Sequence, residues 1–264
     1  MLKPIRKKSN ASLQIAALFL AIGVLLLVYS MLYGLQIAAF IGLGLTFWGA
    51  IFTLTRNGKY VESSLLDSTA KSAYSTIDRM INDLKFNGQG YYIPAYPQDV
   101  YIPEYLKNLK EPVVFISENF DGKPSVEELA SGKFLSAKTR GVFITSPGSG
   151  LMAQMEKQLQ LDFSKTNIQE LTSILPRCLT EIFNLAKSAD MTVLENGVSF
   201  KATGILYESL YRPETTLKSV SMLGCPVVSA VACALAKTSG KTVVIKEQVL
   251  SPGNCGVYAV FNFI

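Results

Sequence analysis

The 264-residue chain contains no histidine. That absence removes the Ser-His-Asp and Cys-His nucleophile systems and the commonest metal ligand. Cysteine is scarce, and Cys178, Cys225, Cys233 and Cys255 show none of the close-pair spacings of a zinc site. Four free thiols, mostly buried, are expected in place of a metal centre. Paired acidic motifs are also missing; Glu127-Glu128 and Glu208 read as solvated surface charge. The chain lacks both the GK[ST] ending of a P-loop and a GxGxxG fingerprint. No cofactor is expected, and an enzyme is the least favoured class.

Residues 9–55 contain no charge of either sign. As one helix they would span about 70 Å, twice a bilayer's hydrocarbon core of about 30 Å. The stretch must therefore fold back, and Tyr33-Gly34 marks the reversal, leaving spans of about 20 residues each at 12–32 and 35–55. Small residues recur at four-residue spacing, Ala17 with Ala21 and Ala38 with Gly42, and suit close helix packing. Tyr29, Tyr33 and Trp48 fit anchoring at or near an interface. Neither span holds an ionisable group other than tyrosine, so an ion or proton route has nothing to run on.

The net charge of +5 is unevenly placed. Lys3, Arg6, Lys7 and Lys8 precede the apolar stretch, and Arg56 and Lys59 follow it. From Tyr60 onward there are 19 basic against 20 acidic residues, a net of −1, with no basic run. A nucleic-acid partner is not expected. Basic residues at both ends of a hairpin place the N-terminal tail and the C-terminal domain in the cytoplasm. A cleaved signal peptide is the competing reading, opposed by the length of the first apolar run and by the second span directly after it.

The chain thus divides into a basic tail with a transmembrane hairpin (1–56), an amphipathic linker helix (57–88) and a cytoplasmic domain (89–264). In the linker, Leu66, Ala70, Ala73, Ile77, Met80 and Leu84 form a near-heptad apolar seam. It either lies against the domain or pairs two copies as a short coiled coil. The domain opens with short extended pieces at 91–95 and 100–103, a strand at 112–117 and a polar loop at 118–129 with an Asp121-Gly122 turn. A strand at 140–145 leads through Ser146-Pro147-Gly148-Ser149-Gly150 into a helix at 151–161. Asn167 and Glu170 have capping-box spacing, and Pro176 kinks the following helix or starts another. Asn196-Gly197 predicts a β-hairpin with a type I′ turn. After an ambiguous segment at 207–223, with a helical turn after Pro213, Cys225-Pro226 opens a helix apolar on nearly all faces, closed by Gly240. Strands at 242–247 and 257–263 follow, joined across 251–254. The fold class is α+β with a largely antiparallel sheet.

Two places could hold a ligand. The turn Ser146 to Gly150, with Gly148, Ser149 and Gly150, sets small hydroxyls and backbone N–H groups at a helix start, where an anion or polar group would be favoured. An ordinary capped turn is the bland alternative. Cys225 stands at another helix start, where the dipole would favour a thiolate, although a cysteine packing as a small buried hydrophobe is the commoner case. Cys255 could approach Cys225 if the last strands flank that helix.

The layout resembles a family of uncharacterised archaeal membrane proteins, in which a two-helix hairpin precedes a helix and an α+β domain with a strand–P-G-x-G–helix element, here Ile144 to Leu151. More distantly, Cys225-Pro226, Val244-Ile245-Lys246-Glu247 and Gly253-Asn254-Cys255 resemble the end of vinyl-4-reductase-type small-molecule-binding domains. The cysteine that family often places after the glutamate is absent, so the resemblance implies no metal site. A membrane-anchored ligand- or partner-binding module is the favoured expectation, its partners the bilayer and a small molecule or protein. A scaffold that assembles as a homo-oligomer through its spans and linker is the alternative.

Overall fold

A computed structural model describes residues 11–54, 62–96, 110, 112–119, 124–130, 132–136, 138–211, 217–251 and 256–264. The basic residues at 3–8, 56 and 59, the extended piece at 100–103, the turn at 121–122, all but Ser251 of the turn at 251–254, Pro213 and Cys255 lie outside them. Two compact units are present, Met1–Val61 and Glu62–Ile264.

In the first unit, α1 (Ala11–Tyr33) and α2 (Gln36–Leu54) form the expected antiparallel hairpin. Gly34 adopts φ +66°, a left-handed turn conformation that a glycine enters without strain. Ser30 Oγ donates to the Leu35 carbonyl at 2.7 Å and ties the two ends. The closest packing runs through Gly23, Gly42, Gly49 and Ala16, since a Cβ on Gly23 would sit 2.7 Å from the Thr46 amide nitrogen. Ala17 and Ala21 face outward instead. Among the described residues, three segments are long and apolar enough to cross a membrane, Ile15–Tyr33, Gln36–Thr53 and Lys218–Ser239. The third is mostly buried inside the other unit, broken at Gly224, and belongs to its core.

The second unit is α+β. Its strands, among the described residues, are β1 (Gly90–Ile93), β2 (Val113–Ser117), β3 (Leu135–Ser136), β4 (Gly141–Thr145), β5 (Ser188–Leu194), β6 (Gly197–Thr203), β7 (Val243–Ser251) and β8 (Gly256–Phe263). They form one antiparallel sheet in the order β3-β4-β2-β1-β7-β8-β6-β5. Alternate side chains feed two cores, as a strand's period of two requires. Tyr92, Val114, Ile116 and Val142 point into the main core with α3 (Ser63–Asp83), α5 (Ser149–Leu159), α6 (Ile168–Arg177) and α8 (Pro226–Ser239). Tyr91, Phe115, Phe143 and Val244 point the other way, to Leu129 and Ala130 of the short helix α4 (Val126–Ala130). That α4 stands where a polar loop was expected. Its five residues are too few for the periodicity that reveals longer helices, and the cluster it covers is built from distant strands.

Helix α3 also differs from its sequence pattern. Tyr74 and Ile81 are the fully buried residues, while Ala73 and Leu84 remain exposed. Polar bonds account for the rotation. Tyr74 donates its hydroxyl to the Gly224 carbonyl at 2.7 Å, and Asp78 accepts both the amide and the hydroxyl of Ser219 at 2.7 and 2.6 Å. Asp78 thereby caps the start of α7 (Lys218–Leu223), whose own flanking residue Leu217 offers no side-chain cap. The Asn167 cap is formed as expected, with its Oδ1 accepting the Glu170 N–H at 2.8 Å. Pro176 does not end α6, which runs to Arg177 and passes into a π-turn over Cys178–Ile182.

The β5–β6 hairpin is present, but its turn is shifted by one residue. Leu194 pairs with Gly197, so Glu195 and Asn196 form the loop, and neither Asn196 nor Gly197 has positive φ. The expected type I′ turn is not formed. The third strand decides the register: Gly197 opposes Asn262, and Phe263 donates its N–H to the Asn196 carbonyl at 3.0 Å. A Cβ at Gly197 would lie 3.0 Å from the Phe261 carbonyl carbon and closer still to its oxygen. The glycine is needed for close approach, not for its φ. Gly197→Ala is expected to destabilise this unit by about 2 kcal/mol through overpacking at the strand end. An unchanged denaturant midpoint would remove that account.

Candidate ligand groove at two helix starts

The turn Ser146 to Gly150 folds against the start of α8 instead of opening to solvent. Ser229, a hydroxyl in the buried, apolar stretch of α8 (Pro226–Ser239), is its hub. Its Oγ accepts the Gly148 N–H at 3.0 Å and lies 3.0 Å from the hydroxyls of both Ser146 and Tyr92. The Tyr92 hydroxyl also reaches the Leu223 carbonyl at 2.5 Å, and Cys233 donates its S–H to Ser146 Oγ at 2.9 Å. Ser149 donates its own N–H to the Ser146 carbonyl at 3.0 Å. The N–H groups expected to meet an anion at Gly148 and Ser149 are therefore used within the protein. A small polar network buried between β1, the turn and α8 is the result, and each member is satisfied by another.

Cys225 is fully buried. Burial pushes its thiol above the ordinary range, although the N–H groups of Val227 and Val228 and the Tyr211 hydroxyl act in the opposite direction. Desolvation thus outweighs the helix dipole, as the reading of Cys225 as a small buried residue requires. Burial likewise pushes Cys233 to about 12 and Cys178 to about 11. All three described thiols are free and protonated at neutral pH. The Cys225 amide donates to the Tyr211 hydroxyl at 2.8 Å, which fixes the chain as it enters α8.

Beside these helix starts runs an open groove of about 690 Å³. Leu66, Ala70, Ala73 and Ile77 of α3 form one wall; Pro147, Leu151, Tyr207 and Pro226 contribute to the others. The groove lies beside the two helix starts singled out from sequence, but its apolar wall is not the α8 helix. Val227 to Leu235 are all consumed by the core, and α3 supplies the wall in their place. Of the residues singled out from sequence, Ser146, Gly148 and Cys225 lie behind the groove, buried. Ser149 and Gly150 border a second depression of about 450 Å³ that also reaches Glu156 and Lys237.

Tyr207 occupies the left-handed region at φ 72°, where a bulky side chain is strained. Its hydroxyl is pushed up by burial first, then by Cys225 and by the nearby Asp67 carboxylate. Asp67 precedes Ala70 and Tyr74 by three and seven residues, so it shares their face of α3. Its Oδ1 is shielded from solvent and has no hydrogen-bond partner. Sequence inspection passes over Asp67, Tyr207 and Ser229. Only Ser229, a hydroxyl inside an apolar helix, carried a signal that could have been read.

Taken together these features define an α+β domain with an apolar groove, preceded by an apolar helical hairpin. A family described as a domain of unknown function (DUF7982) matches residues 4–251, and the chain belongs to it. No curated protein and no solved structure matches the chain.

Proposed function

We propose that this protein is a membrane-anchored binding module whose domain holds a small, largely apolar ligand in the groove between α3 and the starts of α5 and α8. The groove carries the reading. Its volume lies within the usual range for small-molecule sites, and its lining is mostly apolar with a few polar groups at the edge. The hairpin supplies the anchor in this reading, because two uncharged helices of 23 and 19 residues match a bilayer's thickness. The basic residues flanking it support a cytoplasmic domain and cytoplasmic termini. The likeness of 225–263 to vinyl-4-reductase-type domains, and of the layout to archaeal membrane proteins, points the same way.

Native mass spectrometry of the full chain in mild detergent tests the reading. The wild type is expected to retain a small molecule that Ala73→Trp loses, because an indole at that exposed position fills the groove without entering the core. Identical adducts on both proteins, or none on either, would place the site elsewhere.

A further inference from the structure

We infer that the free edge of β5 is a self-complementary docking surface, where a second copy of this chain adds its own β5 antiparallel and joins the two sheets. The two edges of the sheet are unlike. β3 ends it with two residues, too short to offer much pairing, whereas β5 ends it with seven, Ser188–Leu194. β5 carries no proline or lysine and pairs with β6 in unbroken register, so none of the usual edge protections is built into it. Among the described residues no strand lies on its other side. Alternation of the ladder tells which backbone groups are left over. Asn196 accepts the Phe263 N–H, so Val198, Phe200 and Ala202 also turn their backbone groups to β8. Gly197, Ser199, Lys201 and Thr203 turn theirs to β5, where Leu194, Thr192, Asp190 and Ser188 answer them. The N–H and C=O groups of Ala189, Met191 and Val193 therefore face outward.

Those three residues and the charges beside them fix how a second copy fits. With the two-fold axis at Met191, Ala189 of one copy meets Val193 of the other and Met191 meets itself, and each such pair exchanges two hydrogen bonds. On the core face this sets Ala189, Met191 and Val193 against one another. On the opposite face it sets Asp190 against Thr192, whose hydroxyl can donate to the carboxylate. Val193 and Leu194 are each 43% exposed at this edge, and the second strand covers them. Lys187 precedes β5 and Glu195 follows it, both exposed. The Met191 axis brings Lys187 of each copy opposite Glu195 of the other. An axis at Asp190 would oppose the two aspartates, and one at Thr192 would set Lys187 opposite Gly197 and pair only 190–194. The partner must carry its charges in the reverse order, and a second β5 does so by symmetry. Seven paired residues make a small interface, of the weak and reversible class.

Sedimentation of the full chain in mild detergent, at concentrations up to about 100 µM, provides the test. The wild type is expected to reach a dimer in that range. Val193→Pro should remain monomeric and keep its fold. The Val193 N–H faces outward, so the ring spares the β5–β6 ladder but removes a bond to the second copy and blocks its approach. Glu195→Lys should weaken the dimer about tenfold or more, and adding Lys187→Glu should restore it to within about threefold. Lys187 and Glu195 stand at opposite ends of one strand, so that rescue cannot arise within a single chain. Register is read by disulfide formation: Asp190→Cys chains mixed with Thr192→Cys chains should cross-link under mild oxidation more than either alone or the wild type. A wild type that stays monomeric overturns the proposal. A dimer that Val193→Pro leaves intact overturns it as well and assigns assembly to the helical hairpin or to α3. Failure of the charge swap to restore the dimer, or of the mixed cysteines to cross-link, overturns it too.

Discussion

Gly148→Ala is expected to unfold the second unit or destabilise it by about 4 kcal/mol or more, at the upper end for a single substitution. A Cβ there would lie 2.6 Å from the Ala230 Cα and closer still to the Ala230 amide nitrogen. The obstacle is backbone in the middle of a helix whose residues 227 to 236 are all buried, so neither partner can step aside. The same displacement would pull the Gly148 N–H from Ser229 and disturb the hydroxyls of Ser146 and Tyr92 around it. Gly150, two residues on, is the internal control. Nothing lies within 4 Å of a Cβ built there, and the residue is exposed in the first turn of α5. Gly150→Ala should therefore be neutral or stabilise by up to about 1 kcal/mol, through helix propensity and a less flexible unfolded chain. Denaturant unfolding followed by circular dichroism separates the two. Equal midpoints for both variants would mean that the turn does not dock on α8 as described.

The contrast between these glycines shows where the sequence was readable. Apolar length marked the helical hairpin, and Tyr33-Gly34 its reversal, because the length criterion is local and needs no knowledge of tertiary contacts. Helix α8 was legible for a related reason: Cys225-Pro226 and Gly240 are local stop signals around an unbroken apolar run. The Asn196-Gly197 turn was misplaced by one residue because pairing with β8, more than 50 residues away in sequence, overrides the local preference. Register in a sheet is set by all its neighbours, and a local motif sees one of them. The seam of α3 failed similarly. Its apolar spacing selected Ala73 and Leu84, but bonds from Tyr74 and Asp78 to residues 219 and 224 turn the helix. Ala70 and Ala73, the two small residues of that seam, leave room for the groove. As for the site, a strand–turn–helix pattern cannot tell whether its N–H groups face solvent or another helix. Ser229 settled that from 81 residues away.

Lys237→Met is expected to destabilise the second unit by about 3 kcal/mol and to reverse its response to acid, in the manner of a buried ion pair that loses one partner. The Lys237 side chain is 8% exposed and bridges Glu156 Oε1 at 2.7 Å and Asp162 Oδ1 at 2.9 Å. It joins the end of α8 to the last turn of α5 and to the 3-10 turn Phe163–Lys165. Both carboxylates are committed elsewhere as well: Glu156 accepts the Phe163 N–H at 2.8 Å, and Asp162 accepts the Ser164 N–H at 3.0 Å. They cannot rotate to water without breaking those bonds. Burial alone would raise the Asp162 carboxyl, but Lys237 and Ser164 outweigh it and hold it below the ordinary range. Burial would lower the Lys237 ammonium, and its two carboxylate partners instead raise it. The depressed Asp162 contributes stability that is present above the usual aspartate range and lost as pH falls through its folded value. The raised Lys237 contributes stability that is present below the usual lysine range and lost as pH climbs through its folded value. In this respect the wild type should be most stable between those two ranges and lose stability on acidification. Without the cation, the partly buried Asp162 carboxylate prefers to be protonated, so its folded value rises and the variant should gain stability as pH falls from 7 towards about 5. Denaturant midpoints measured across that interval read the sign directly. A variant that loses stability on acidification as the wild type does would show that Lys237 is not what holds the Asp162 carboxyl low.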